Sequence, residues 1–248
     1  MTALALTVLG CSGSYPGPAS PASGYLLRSE GGATVWLDAG SGTFANLQRH
    51  IDVDELDAVV LSHAHPDHWL DLASLRTVRR YFRDGIPRLP VYGTAETQGL
   101  ADHLAEGTLD ETFEWRTIDA ASTFEVRDLS LRCSRTDHPV ETLAIRVDTP
   151  TDRTFVYSAD TGSGWSPAEL GDGIDLFLCE ATMSTADEDS YAHLTGRQAG
   201  RIAREAGVRR LVVTHVPPNL DAVTHRADAA SAFGGPVGLA TVDAVFEV

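Results

Sequence analysis

The sequence predicts an α/β layered sandwich, β-sheets packed face to face with helices outside, and three observations carry that prediction. Blocks of strand signals interleave with helical stretches twice along the chain, a pattern that suits such layers. At 248 residues and 43% hydrophobic content, the chain can bury a sizeable core. Polar residues able to bind metals or move protons stand where apolar strands stop, which would gather them along one edge of the sheets. Prolines and glycines are scattered as turn punctuation, no stretch is low in complexity and no fixed period repeats, so residues 1–248 are expected to form one domain.

In chain order, strand signals at 4–9 precede a loop of turn formers from Gly10 to Pro18. They return at 24–28 and 34–38, so the opening reads as a hairpin meander feeding a sheet. Asp38 to Gly42 then lead into a short helical stretch reaching His50, with the Asp or Ser as N-cap. A strand at 57–62, with the apolar run Ala58-Val59-Val60-Leu61, delivers Ser62-His63-Ala64-His65-Pro66-Asp67-His68. Beyond it Trp69, Leu70, Leu72, Leu75 and Val78 recur at helical spacing, a core-facing stripe that puts His68 at or near a helix N-terminus. Arg76, Arg79, Arg80 and Arg83 on the same helix read either as a solvated face or as an attractor for an anionic substrate. A strand at 89–92, a helix at 94–106 and strands at 113–118, 123–126 and 129–136 follow, the last leading to His138. Strands at 142–147 and 154–158 precede an apolar run at 174–179 that terminates in Glu180, and a helix at 195–206 leads to a strand ending at His215.

The stretch from His63 to His68 reads as a metal site. Residues two apart in an extended segment point the same way, so His63, His65 and Asp67 share a side, and a turn after Pro66 could bring His68 round to them. Imidazole nitrogens and carboxylate oxygens suit Zn, Mn or Fe. The net charge of −16 disfavours a protein whose main task is to grip a polyanion, so a small or locally steered substrate fits better than nucleic acid. All 19 basic residues are Arg, a bias of GC-rich coding that points to a bacterial source. Cys11, Cys133 and Cys179 are odd in number and far apart, which indicates neither a disulfide framework nor a thiolate zinc site. The first residues lack a basic region and a full apolar segment, and no run approaches a membrane span, so a cytoplasmic protein is expected. Oligomeric state is left open, a homodimer included.

His-X-His-X-Asp-His, followed in order by a His, an Asp and a last His, resembles the metallo-β-lactamase superfamily. Within it, 157–162, 178–182, His193-Leu194-Thr195 and 211–218 are similar to the phosphodiesterase branch that contains the tRNA 3′-processing endonucleases. The opening, Leu9-Gly10-Cys11-Ser12-Gly13-Ser14 with Gly17-Pro18 and the stretch 20–27, resembles more closely the actinobacterial cyclic-nucleotide phosphodiesterases of this fold, the cyclic AMP enzymes included. The resemblance implies an αββα four-layer sandwich and two divalent metals, Zn before Mn or Fe. It implies that His63, His65 and His138 bind one metal, that Asp67, His68 and His215 bind the other, and that Asp160 bridges them. Ala144 stands where the relatives usually have glycine and could narrow the pocket without disturbing ligation.

The chemistry so implied is hydrolysis of a phosphodiester by water activated at the metals, with Asp67 orienting it as general base and Glu180 with His193 protonating the departing oxygen. Read from the residues alone, Glu180 could equally cap a strand and His193 a helix. A cyclic-nucleotide phosphodiesterase giving a 5′-monophosphate is the leading expectation, and a loop from Gly10 to Gly17 with Tyr15 as a stacking surface could rim its pocket. A tRNA-processing nuclease is the alternative, but those enzymes carry an arm between the ligands corresponding to His138 and Asp160, where this chain has about 21 residues. A hydrolase of thioesters, lactones or β-lactams is a further alternative, and the Glu180 and His193 motifs argue against it.

Overall fold

The computed structural model describes residues 3–248. In the first half, β1 (Leu4–Gly10), β2 (Gly24–Ser29) and β3 (Thr34–Ala39) form an antiparallel meander. After α1 (Thr43–Leu47), the strands β4 (Ala58–Val60), β5 (Leu89–Gly93) and β6 (Phe113–Thr117) continue the sheet in parallel from β3. Parallel neighbours need crossovers, and α2 (Leu72–Tyr81) and α3 (Ala95–Leu104) supply two of them. The second half repeats the plan. Strands β7 (Thr123–Val126), β8 (Leu129–Arg135), β9 (Leu143–Asp148) and β10 (Thr154–Tyr157) meander antiparallel. Then β11 (Leu176–Glu180), β12 (Arg210–Thr214) and β13 (Gly238–Leu239) add in parallel, with α4 (Gly196–Glu205) and α5 (Ala222–Phe233) between them. The last strand, β14 (Val245–Glu247), crosses back to pair with β1. Two seven-stranded sheets result, ordered β14-β1-β2-β3-β4-β5-β6 and β13-β12-β11-β10-β9-β8-β7.

Three apolar layers hold the sandwich together. Leu6, Val8, Leu27, Val35 and Val60 of the first sheet meet Leu131, Ile145, Phe155 and Leu178 of the second. Their alternating neighbours Leu9, Leu26, Trp36, Val59 and Leu61 face outward under Phe44, Leu47, Leu72 and Leu75. On the other side Val156, Phe177, Cys179 and Val213 pack under Ala199, Ile202, Ala203 and Ala229. Central strands covered on both faces are largely apolar, which is why 58–61 and 176–179 read as runs rather than alternations. The expected αββα sandwich is the observed fold.

Several expectations change in detail. The helix after β3 is not capped by Asp38 or Ser41: Gly42 occupies the cap position without a side-chain bond, and Asp38 turns into the protein. Ala144 is fully buried in the layer beneath α4 and α5 with Val156 and Phe177, so it cannot narrow the pocket. The arginine set braces the outer helical layer rather than facing a substrate. Arg83 pairs with Asp54 and Asp52, Arg80 with Glu111, Arg79 donates to the Pro87 carbonyl, and Arg76 to Thr108. The elements after Pro218 had no sequence expectation, because α5 lacks a clear apolar stripe and β13 is two residues long.

Candidate metal centre

Most residues of the site leave strands at one edge, and His193 joins them from the loop before α4. His63 follows β4, and His65 leads into a tight turn, Pro66–His68, that carries Asp67 and His68. His138 follows β8, Asp160 follows β10, Glu180 closes β11 and His215 follows β12. Backbone in the left-handed region recurs here: Asp38, Ala159 and His215 have φ of 54°, 50° and 57°. Such conformations are costly for residues with a side chain and persist where the surroundings over-determine them. Two glycines are required by close approach. A Cβ on Gly40 would lie 2.0 Å from the Asp67 carbonyl oxygen, and one on Gly13 2.3 Å from that of His215.

The side chains converge in three groups whose candidate ligand atoms lie within 4.8 Å of one another: His63, His65, His138 and Asp160; Asp67, His68 and His215; and Asp160, His193 and His215, which overlaps the other two. The extended-segment reading placed Asp67 beside His63 and His65. The turn at Pro66 instead swings Asp67 with His68 to the second group, which is the partition the resemblance implied. Asp160 lies between them, with Oδ2 3.5 Å from His63 Nε2 and Oδ1 3.3 Å from His68 Nε2.

The proton inventory shows that these residues fit cations. His68 Nδ1 donates to Asp38 Oδ2 at 2.7 Å, and His138 Nδ1 donates to the Ala192 carbonyl at 3.0 Å. Ser62 gives its hydroxyl proton to Asp38 at 2.8 Å, so Ser62 Oγ accepts from His63 Nδ1 at 3.0 Å. In His63 and His138, whose pKa values burial lowers, the other nitrogen is left bare and points inward. His68 Nε2 then faces His215 Nε2 at 3.1 Å, and His138 Nε2 faces His65 Nδ1 at 3.2 Å. Each contact is a hydrogen bond while one of the two rings carries the proton, and once that proton leaves, both nitrogens can turn to a cation. His63 Nε2 and Asp160 Oδ1 are buried with no hydrogen-bond partner at all, a costly state that metal ligation relieves. Neutral imidazole and carboxylate donors of this kind suit Zn, Mn or Fe, so the cluster can hold metal ions.

Charge states in the metal-free cluster are mixed: burial works against a charged His68, but Asp160, Asp67 and Asp38 outweigh it and hold the ring charged, so a cation must displace that proton. Burial, seconded by His68, pushes the His63 imidazole down to about 4, outweighing Asp160, so it is a neutral ligand at physiological pH. Burial opposes ionisation of Asp160, but His215, His68 and His63 outweigh it and hold the carboxyl well below its usual range. Burial likewise works against a charged His193, yet Glu180 and Asp160 raise it to about 9.

Glu180 and His193 are brought together at the rim. His193 Nδ1 donates to Glu180 Oε1 at 2.8 Å, and its ring lies 5.0 Å from that of His138. Glu180 is fully occupied, accepting also from Thr161 N, Thr182 N and Thr182 Oγ1. It can hold His193 but has no free oxygen for a substrate. The loop after β1 also reaches the centre: Ser14 N comes within 3.5 Å of His215 Nε2, and the half-exposed Tyr15 donates to Asn219 Oδ1 at 3.2 Å. Sequence reasoning missed Asp38, which is completely buried and collects His68, Ser62 and the Tyr157 hydroxyl. The signal was present, because Asp38 closes an apolar strand as the recognised site residues do, but it was read as a helix cap.

Fold and centre together define a metallo-hydrolase. The chain belongs to the metallo-β-lactamase superfamily: the pattern of the β-lactamase superfamily domain matches residues 33–216. It is 38% identical to an uncharacterized protein of Mycobacterium leprae (strain TN), over 98% of this chain and 88% of that one. It is 32% identical to the probable metallo-hydrolase YhfI of Bacillus subtilis (strain 168), over 98% of this chain and 99% of the relative. The crystal structure of YhfI superposes with a TM-score of 0.89 over 99% of both chains, at 29% identity. A Ribonuclease Z of Methanopyrus kandleri is 27% identical over 93% of each chain.

Proposed function

We propose that the protein is a two-metal phosphodiesterase that opens 3′,5′-cyclic nucleotides, cyclic AMP foremost, to 5′-monophosphates. The observation that carries this reading is the Glu180–His193 pair, whose imidazole lies close to Asp160 and His215, beside two ligand groups joined by Asp160. His63, His65, His138 and Asp160 would hold one cation, Asp67, His68, His215 and Asp160 the other. When bound, the cations activate water and neutralise charge on the phosphoryl oxygens. Asp67 orients that water and accepts its proton, while the phosphoryl group gains the hydroxyl and loses its bond to the 3′ oxygen. His193, protonated and held through Nδ1 by Glu180, delivers a proton to the departing oxygen.

A small substrate is supported by the charge of −16, which penalises a long polyanion more than a singly charged cyclic ester. The interval from His138 to Asp160 is filled by β9 and β10, which leaves no room for a tRNA-gripping arm. The likeness to Ribonuclease Z favours tRNA 3′-processing as the second reading. Metal-loaded protein, its metal counted by elemental analysis, is incubated with cyclic AMP, cyclic GMP and a 3′-extended tRNA precursor. Two metals per chain and conversion of a cyclic nucleotide, abolished by chelation, are expected. Cleavage of the precursor with both cyclic nucleotides intact would replace the leading reading with the nuclease.

A further inference from the structure

Thr182 is a buried hydroxyl between the two halves of the machinery, and its single proton decides what it can do. Its Oγ1 lies 2.6 Å from Glu180 Oε2, 2.9 Å from His215 Nδ1 and 3.2 Å from the His215 carbonyl oxygen. The carboxylate is both the nearest and the only charged acceptor, so the hydroxyl proton goes to Glu180. Glu180 is itself fixed there by Thr182 N at 3.0 Å and Thr161 N at 2.9 Å. With its proton so used, Oγ1 can only accept from His215 Nδ1–H, and the neutral ring must leave Nε2 bare. The competing tautomer has a ready partner, because His215 Nε2 lies 3.2 Å from Asp67 Oδ2 and could donate to it instead. That alternative would place a proton where a metal must bind.

We propose that Thr182 is a positioning residue that selects the ligating tautomer of His215, and that Glu180 thereby serves both the acid His193 and the metal group of Asp67, His68 and His215. The proposal rests on the reading of His215 as a metal ligand but is independent of which ester is hydrolysed. Thr182 is not among the candidate ligands: it acts through the ring it holds.

Thr182→Val keeps the shape and deletes the hydroxyl, whereas Thr182→Ser keeps it. Zinc titration of each apo-protein against a competing chelator should show a 10- to 100-fold weaker second site in the Val variant, the first site unchanged, and wild-type affinity in the Ser variant. Imidazole nitrogen NMR of the wild-type zinc form should show a slowly exchanging proton on His215 Nδ1, retained in Thr182→Ser. Thermal melting of the chelated proteins separates a folding defect from a ligation defect. Equal affinity of both sites in all three proteins, or a His215 proton on Nε2, overturns the proposal. Should the Val variant fail to fold, the NMR assignment of wild type and Thr182→Ser decides alone. A wild type that binds a single zinc would instead refute the two-metal reading, a result distinct from loss confined to the Val variant.

Discussion

At the scale of single residues, the site sorts into groups that touch reacting atoms and groups that fix proton positions. Asp67 and His193 stand on opposite sides of that chemistry, so their loss should differ in kind. Asp67→Ala removes an oxygen from the second ligand group, and His193→Ala removes a proton donor held by Glu180. With a nucleotide ester both should lose about 100-fold or more. With bis(p-nitrophenyl) phosphate, whose leaving group needs little protonation, His193→Ala should retain most activity while Asp67→Ala stays impaired. Steady-state kinetics on the two esters checks this, and equal loss on both would remove His193 as the acid. The cluster's chemistry was legible from residue types and spacing. The roles of Asp38, Ser62 and Thr182 were not, since each depends on a partner far away in the chain: Tyr157 lies 119 positions from Asp38, Asp38 lies 24 from Ser62, and His215 lies 33 from Thr182.

At the scale of elements, strand ends and turns set where ligands arrive. The backbone after β3 packs so tightly on the Pro66 turn that only a glycine fits at position 40, 2.0 Å from the Asp67 carbonyl in its Cβ-bearing form. The obstructing atoms, the carbonyl oxygens of Asp67 and Ser23, are backbone and cannot rotate away. Gly40→Ala should therefore cost about 1–3 kcal/mol in the chelated protein. It should also weaken zinc binding in the Asp67 group more than in the His63 group, measured by urea denaturation and metal titration. Undiminished stability would show that the turn shifts freely. Strand and helix positions were legible because period and apolar runs are local, but Asp38 as a cap was not, because the choice between capping α1 and reaching His68 depends on where the neighbouring strand puts that ring.

At the scale of the whole molecule, buried titrating groups make the metal-free fold pH-sensitive from both sides. His63 stays neutral down to about 4, so between about 6.5 and about 4 the unfolded chain takes up a proton that the folded one refuses. Stability must fall as pH drops through that window. His193 is held charged up to about 9, so its contribution is complete below about 6.5 and is lost as pH rises toward 9. The chelated protein should thus be most stable near neutrality, with lower urea midpoints at pH 5 and pH 9. Adding zinc should widen the gap between pH 7 and pH 5, because protons compete with the metal for the imidazoles. A flat profile from pH 5 to 9 would contradict the burial of these rings.

The sequence by itself determined the layered α/β class, the strands that stop in polar residues, and the His63 to His68 cluster as a metal site, because these follow from local periodicity, covalent spacing and the chemistry of His and Asp, while the set of seven ligands came from the family resemblance. Local spacing put Asp67 with His63, and the tertiary structure puts it with His68, as the resemblance implied; only the tertiary structure decided that Ala144 lies in the layer beneath α4 and α5 and that Arg79 and Arg80 of α2 brace neighbouring segments. It also brought Asp38 against His68 Nδ1 and Thr182 against His215 Nδ1. The physical reason is that tautomer, burial and lone-pair direction are properties of pairs of atoms brought together by packing two sheets, and no local stretch of chain contains both members.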